Sequence, residues 1–171
     1  MRSVLAVLLM TAAPALAQIK PAETPACDAA PRLADPWTSW PQSGEAVAGG
    51  EAVSAPRLIL GKPVTATLRP GDYVHFPITP GKSGPQGHGG LFTLAVKTPA
   101  RIGIALSEAA WVDVIKGTAS IASVEHGHGP VCSGIRKIVW FTLSEGLHTI
   151  QIANARQATI RIMAADAAAN R

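Results

Sequence analysis

The sequence lacks the short motifs that mark the common enzyme classes. It contains no nucleophile elbow, no glycine-rich phosphate loop, no zinc-protease helix motif and no Cys-x-x-Cys pair, so these kinds of catalytic site are excluded. Acidic pairs suited to glycoside hydrolysis are also missing, because Glu108 and Glu145 have the setting of turn residues at strand boundaries. The common enzyme motifs therefore indicate no catalytic class for this chain.

Clustered positive charge is scarce as well. The chain of 171 residues has 15 lysines and arginines and a formal net charge of +4. These basic residues are scattered, and only Arg136 and Lys137 are adjacent. This distribution is typical of a solvated surface and excludes a nucleic-acid-binding stripe. Arg136 and Lys137 could nevertheless bind an anion near the histidine-containing segment, although a solvated pair is the favoured interpretation.

Long apolar runs are limited to the N-terminus. Arg2 precedes an apolar stretch at residues 4–13, and Ala15-Leu16-Ala17 has the small-x-small pattern of a signal-peptidase site. The stretch is too short for a membrane-spanning helix, and no later one is long enough. We therefore expect residues 1–17 to be a signal peptide and the mature protein to be periplasmic or secreted, without a transmembrane segment.

Only two cysteines are present. In an oxidising compartment two cysteines most often pair, and a bridge from Cys27 to Cys132 would close a loop of about 105 residues. Such a loop is worth roughly 4–5 kcal/mol in the chain-entropy treatment of disulfides. The alternative is a Cys132 thiolate that acts as a metal ligand or nucleophile. The disulfide is the favoured interpretation because a second cysteine is available.

The bulk of the chain consists of short apolar segments separated by glycine, proline, asparagine and aspartate. Apolar and polar residues alternate within these segments, which indicates β-strands, and no amphipathic helix is evident. About nine or ten such strands predict an all-β fold, an antiparallel β-sandwich or jelly roll. The predicted strands are residues 57–60, 64–68, 73–78, 91–97, 101–106, 111–115, 119–124, 138–143, 147–153 and 159–163.

Composition divides the mature chain into three parts. Residues 18–56 are predicted to be an extended segment and loop held by the disulfide, residues 57–164 the β-sandwich domain and residues 165–171 a flexible tail. Trp37 and Trp40, in the first part, either seal one end of the sandwich or form an aromatic platform for a ligand. The first interpretation is favoured because indole burial is usually structural.

Residues 123–137 hold the strongest candidates for chemistry. His126 and His128 are two positions apart, so on an extended backbone both imidazoles point to the same side, as in a chelating pair. Iron, copper or zinc would accept two imidazoles together with a third donor, for which Glu125 and His88 are candidates. The alternative is a glycine-rich loop whose histidines hydrogen-bond to the backbone.

Trp111 and Asp113 form a second candidate site. They are two positions apart on one predicted strand and therefore face the same way. A flat ring beside an acceptor carboxylate is common in sugar-binding sites. The alternative is a tryptophan that packs on a sheet edge with Asp113 paired to a lysine or arginine. The ligand of such a site would be a small molecule or a component of the cell envelope.

His148 and His75 are weaker candidates for a functional role. His148 begins the apolar face of a predicted strand, where a half-buried histidine with satisfied nitrogens is the expected state. His75 is predicted to lie on the surface, because it alternates with the apolar residues of its segment.

Residues 89–152 contain pieces that resemble a group of small exported bacterial proteins. The matching pieces are residues 89–91, 110–114, 147–152 and the run His-Gly-His-Gly-Pro-x-Cys-x-Gly-Ile-Arg-Lys at 126–137, and together they cover about two fifths of the chain. Proteins of this group often carry the name homogentisate 1,2-dioxygenase. The resemblance implies a mononuclear non-haem iron centre with His126 and His128 as ligands. Its carboxylate ligand would come from elsewhere, because Val131 and Cys132 stand where a cupin motif places its glutamate.

Three functions therefore remain open at the level of sequence. The favoured one is a periplasmic binding or accessory protein without catalytic activity. The alternatives are an iron-dependent dioxygenase and a protein that binds copper or zinc. The sequence gives no indication of the oligomeric state.

Overall fold

The computed structural model describes residues 27–42, 44–81 and 86–168. The predicted signal peptide therefore lies outside the described residues. Within them no helix has the length and apolar character needed to cross a bilayer, and the only helices are two 3-10 turns, Ala52–Ser54 and Gly71–Tyr73. The twelve strands are β1 (Glu45–Val47), β2 (Arg57–Leu58), β3 (Val64–Thr67), β4 (Arg69–Pro70), β5 (His88–Val96), β6 (Ala100–Leu106), β7 (Trp111–Lys116), β8 (Ala119–Ile121), β9 (Ser123–Gly127), β10 (Lys137–Leu143), β11 (Gly146–Ala155) and β12 (Thr159–Asp166).

The strands form two six-stranded sheets packed as a sandwich, which confirms the predicted all-β class. Sheet I has the order β1-β3-β12-β6-β10-β9, and sheet II has the order β2-β5-β11-β7-β8 with β4 also paired to β5. The long strands pair in antiparallel fashion, whereas β1 with β3 and β2 with β5 are parallel. Both sheets are therefore mixed, although the alternation in the sequence indicated antiparallel pairing alone.

Every second side chain of the long strands enters the core between the two sheets. Ile102, Ile104 and Leu106 of β6 are fully buried there, opposite Ile150 and Ile152 of β11. Full burial of one such side chain contributes about 1.5–3 kcal/mol. The alternating pattern in the sequence is therefore the main physical cause of the sandwich.

A second, smaller core covers the outer face of sheet I. The segment before β1 places Trp37 and Trp40 there, where they are buried together with Ile135, Ile138 and Met163. The structural interpretation of the two tryptophans is confirmed, although they cover a sheet face rather than one end of the sandwich.

A disulfide joins this N-terminal segment to the loop after β9. Cys27 and Cys132 are bonded, with Cα atoms 5.5 Å apart, as the sequence predicted. The alternative of a Cys132 thiolate acting as metal ligand or nucleophile is wrong, because that sulfur is in the bridge. The loop that contains His128 is thereby fixed to the layer outside sheet I.

Two local predictions are wrong. Residues 73–78 were expected to form a strand, but residues 74–81 pair with no strand and lie against the outer face of sheet II, where Phe76 packs over Gly89. Pro77 has no N–H to give to a β-ladder, which disfavours a strand here. Residues 18–56 were expected to form an extended segment and loop without a strand, but they contain β1, which lies parallel to β3 at the edge of sheet I.

Candidate functional site

Trp111 and Asp113 lie together on the outer face of sheet II, as their spacing on β7 predicted. The indole Nε1 of Trp111 donates a hydrogen bond of 2.9 Å to Asp113 Oδ1. Gln151, opposite Asp113 on the neighbouring β11, donates from Nε2 to Asp113 Oδ2 at 2.8 Å. Each carboxylate oxygen therefore accepts a hydrogen bond from within the sheet, and the carboxylate serves to hold the indole in place.

Lys137, the first residue of β10, reaches across to the start of β7. Its Nζ donates to the carbonyl oxygen of Ala110 at 2.8 Å and lies 5.7 Å from the centroid of the Trp111 ring. A cation at this distance from an indole face is attracted by the ring quadrupole. The lysine thus connects the two sheets at their open edge.

Partial burial perturbs both charged groups near the indole. Burial raises the pKa of Asp113 above its ordinary value, while hydrogen bonds from Trp111 and Gln151 and the charge of Lys137 act against that rise. Burial lowers the pKa of Lys137, and the negative charge of Asp113 opposes that shift. For both groups, the loss of solvation on burial outweighs the hydrogen bonds and the attraction between the two charges.

A cleft of about 280 Å³ is formed at the edge of the sandwich by the start of β7 together with β9 and β10. Its apolar floor is formed by Val112 of sheet II and Val139 of sheet I, both part of the central core. No carboxylate side chain is among the lining residues. The cleft is lined by Trp111, Val112, Ser123, His126, Lys137 and Val139.

His126 reaches this cleft from β9, the edge strand of sheet I. β9 pairs only with β10, and all five of its residues are exposed. His126 lies opposite Val139, whose side chain points into the core, so the imidazole is on the same side of the sheet. It makes no hydrogen bond to any other residue that the structure describes, which leaves both ring nitrogens accessible to a ligand.

His128 occupies a different place. It follows the end of β9, and its Nδ1 donates to the carbonyl oxygen of Arg136 at 2.8 Å. Together with Arg136 it borders a separate surface pocket of about 380 Å³ around the disulfide loop. The two imidazoles were predicted to form one chelating pair, but His126 lines the cleft and His128 lines this second pocket, and β9 ends at Gly127 between them. The exposed Arg136 remains a candidate anion ligand in the pocket of His128.

The other two candidate metal ligands lie elsewhere. Glu125 is on the outer face of sheet I, where it forms an ion pair with Arg101, whose guanidinium lies 5.0 Å from the centroid of the Trp140 ring. His88 begins β5, and its buried Nδ1 has no hydrogen-bond partner. Across residues 27–42, 44–81 and 86–168 no three His, Cys, Asp or Glu side chains cluster closely enough to hold a metal ion. The described residues therefore do not fit a three-donor iron, copper or zinc centre.

The sequence reasoning gave Lys137 only as a possible anion ligand beside Arg136, and it missed Lys137 and Ser123 as lining residues of this cleft. A signal for Lys137 was present, because it shares parity with Val139 and Phe141 and so begins the inward face of β10. A charged residue at the end of an inward face lies at the mouth of a sandwich, where it can remain partly solvated.

The chain matches no family model and no curated protein. The resemblance to the exported proteins named homogentisate 1,2-dioxygenase therefore stays a prediction.

Proposed function

We propose that this protein is an exported binding or accessory protein without catalytic activity, whose small-molecule ligand occupies the cleft between β7, β9 and β10. The observation that carries the proposal is the cleft itself, where the exposed indole of Trp111 meets the cation of Lys137 and the imidazole of His126 over an apolar floor. Ligand pockets generally combine an apolar lining with a few placed polar groups in this way.

The groups around the cleft are held before any ligand arrives. Trp111 is 43% exposed, yet its ring is fixed by the hydrogen bond to Asp113, and Lys137 is fixed by the Ala110 carbonyl. Side chains that are already ordered lose little further conformational entropy on binding. The order of these side chains supports a binding role for the cleft.

Export is the second part of the proposal. The Cys27–Cys132 disulfide is consistent with an oxidising, extracytoplasmic compartment. The predicted signal peptide at residues 1–17 would direct the chain to export.

Filling the cleft tests the proposal directly. A mixed library of small acids, bases, amides and sugars is screened against the oxidised protein by ligand-observed NMR. Hits should be lost in Ser123→Phe, which places a ring in the cleft, and retained in Ser120→Phe, which adds the same ring to β8 outside it. An absence of hits, or hits that survive in Ser123→Phe, would contradict a ligand site in this cleft.

A metal-dependent function has a separate readout. The purified, tag-free protein is analysed for bound metal and for oxygen consumption with homogentisate. Stoichiometric metal that disappears in both His126→Ala and His128→Ala would overturn the proposal in favour of a metal site. We expect no such dependence, because the two imidazoles line different pockets.

A further inference from the structure

We infer that a second groove, at the edge of the sandwich where β2 lies beside β5, binds single-chain lipids with an anionic head group. The head group lies on Arg57 and the aliphatic chain runs along the groove. This groove is separate from the cleft of Trp111, since the two share no lining residue. The inference therefore goes beyond the proposed function and is independent of it.

The groove is elongated along the strands. It has a volume of about 330 Å³ and is formed chiefly by two neighbouring stretches of chain, residues 57–60 and 95–98. Four residues of extended chain span roughly 10 Å. The apolar part of the lining consists of Leu58, Ile59, Leu60, Ala95, Val96 and Ala100. A groove of this length and volume suits an aliphatic chain better than a compact ring.

The apolar surface continues onto the outer face of sheet II. Ile59, which is 62% exposed, lies beside Ala95, because the preceding residue of β2 is in register with Leu94. On the other side of Ala95, β11 places Leu147, which is 54% exposed. This apolar row of three side chains is too small for a specific protein–protein interface, which takes about 20–30 residues from each partner. A small amphiphile is therefore favoured over a protein partner.

Arg57 supplies an unpaired cation at the start of the groove. Its side chain is exposed and makes no hydrogen bond or ion pair to any other residue that the structure describes. The planar guanidinium offers paired N–H donors that match a carboxylate or a phosphate. An anionic head group at this position would gain charge-assisted hydrogen bonds for which none of the described side chains competes.

The two other charged residues of the groove have opposite signs. Lys97 follows the end of β5, and Asp166 is the last residue of β12. One carboxylate oxygen of Asp166 accepts a hydrogen bond from the backbone N–H of Ala168. Two cations and one anion leave the lining with a net positive charge, which favours an anionic head group over a neutral or cationic one.

Decanoate, 1,2-decanediol and acetate separate the contributions of charge and chain. Titrations are followed by NMR through the δ-methyl resonance of Ile59, which is assigned by its loss in Ile59→Val. Wild-type protein should bind decanoate at least about 10-fold more tightly than either of the other two, as expected for charge-assisted hydrogen bonds and for the burial of several CH2 groups. Octanoate, which is two CH2 groups shorter, should bind about 4-fold more weakly than decanoate.

Two variants assign these contributions to side chains. Arg57→Gln should lower the affinity for decanoate about 10-fold and leave that for 1,2-decanediol unchanged, while Ile59→Ser should weaken both. The matched control is Arg156→Gln, which removes an exposed arginine from the turn after β11, at the other end of the sandwich. This control should bind decanoate as tightly as wild type.

Equal affinity for decanoate and 1,2-decanediol, or decanoate binding that survives in Arg57→Gln, would overturn the inference. So would a dimer in light scattering that becomes monomeric in Ile59→Ser, because a second copy of the chain would then cover the apolar row. Decanoate binding should persist in Ser123→Phe, and its loss there would place the ligand in the cleft of Trp111 instead. The library that tests that cleft is restricted to compounds without a long aliphatic chain, so the two sites can fail separately.

Discussion

The indole N–H of Trp111 is bonded to Asp113, two residues further along the same strand, at 2.9 Å. This contact joins the predicted ring and carboxylate in one hydrogen-bonded unit. A second donor, Gln151, completes the unit from β11, and its own Oε1 is buried without a hydrogen-bond partner.

Two substitutions of Asp113 separate the contribution of its hydrogen bonds to stability from the contribution of its charge. Asp113→Asn keeps an acceptor for Trp111 and supplies an amide that can donate to the unpaired Gln151 Oε1, so the free energy of unfolding at pH 7 should stay within about 1 kcal/mol of wild type. Asp113→Ala removes both acceptors and should cost about 2–3 kcal/mol. Urea denaturation measures both. If the asparagine variant lost as much as the alanine variant, the attraction between Asp113 and Lys137 would be the larger contribution.

The same carboxyl has a defined effect on the pH dependence of stability. Its pKa is raised in the folded protein, so between the ordinary value of 3.8 and the raised value the folded state binds more protons than the unfolded state. Its contribution to the free energy of unfolding therefore decreases as pH rises through this window. Asp113→Asn should remove that decrease, which equilibrium unfolding between pH 3.5 and pH 7 would detect as a change in slope.

His148 makes the opposite contribution. It is buried at 1% exposure, and hydrogen bonds to the backbone of Gly146 and Leu94 only partly offset the loss of solvation. Burial, and after it the positive charge of Lys116, lowers its pKa below 6.5, so the unfolded state binds the proton first as pH falls. Stability should decrease as pH falls below about 6.5, and His148→Leu should flatten this dependence.

The matched control for His148 is His75→Leu, whose side chain is 80% exposed. This variant loses the exposed contact of 3.1 Å between His75 Nδ1 and Glu51 Oε1, so its free energy of unfolding at pH 7.5, 6 and 5 should stay within about 1 kcal/mol of wild type. Equal pH profiles for the two leucine variants would show that the buried imidazole is not the source of the acid sensitivity.

Gly103 provides a test of the outer layer on sheet I. A Cβ at this position would lie 2.8 Å from Cζ3 of Trp140, whose ring also contacts Trp37 and Arg101. Gly103→Ala should displace the ring and cost about 1–3 kcal/mol. Gly127→Ala is the control, because no atom lies within 4 Å of a Cβ there, and it should change stability by less than about 0.5 kcal/mol. Thermal unfolding compares the two.

The disulfide should contribute strongly to stability. It closes a separation of 105 residues, which corresponds to about 4–5 kcal/mol in the chain-entropy treatment. Cys27→Ser with Cys132→Ser should lose most of this and should expose Trp37 and Trp40, which a red shift of tryptophan fluorescence would report. A loss below about 1 kcal/mol with unchanged fluorescence would mean that the packing of the two indoles alone holds the segment.

The sequence predicted the sandwich because alternation such as Ile102, Ile104 and Leu106 depends only on local periodicity. It also predicted that Trp111 and Asp113 share a face, for the same reason. It could not place Lys137 beside Trp111, since that contact depends on which strands of the two sheets form the open edge. The separation of His126 from His128 was equally hidden, because it depends on where β9 ends.

His148 shows a further limit. Its parity with the apolar residues of β11 was evident, but the expected half-burial was wrong, because the side chain is only 1% exposed. The degree of burial depends on side chains from the facing sheet, and periodicity within one strand carries no information about them.

The two walls of the cleft differ in how easily they can move. The wall that bears Trp111 belongs to β7, which β11 pairs from Trp111 to Ile115 and which β8 pairs at Val114 to Lys116. The wall that bears His126 is β9, which is held by one neighbour and buries none of its five residues. Outward bending of β9 would break few apolar contacts, so ligands of somewhat different width can be accommodated on the histidine side while the indole side keeps its geometry.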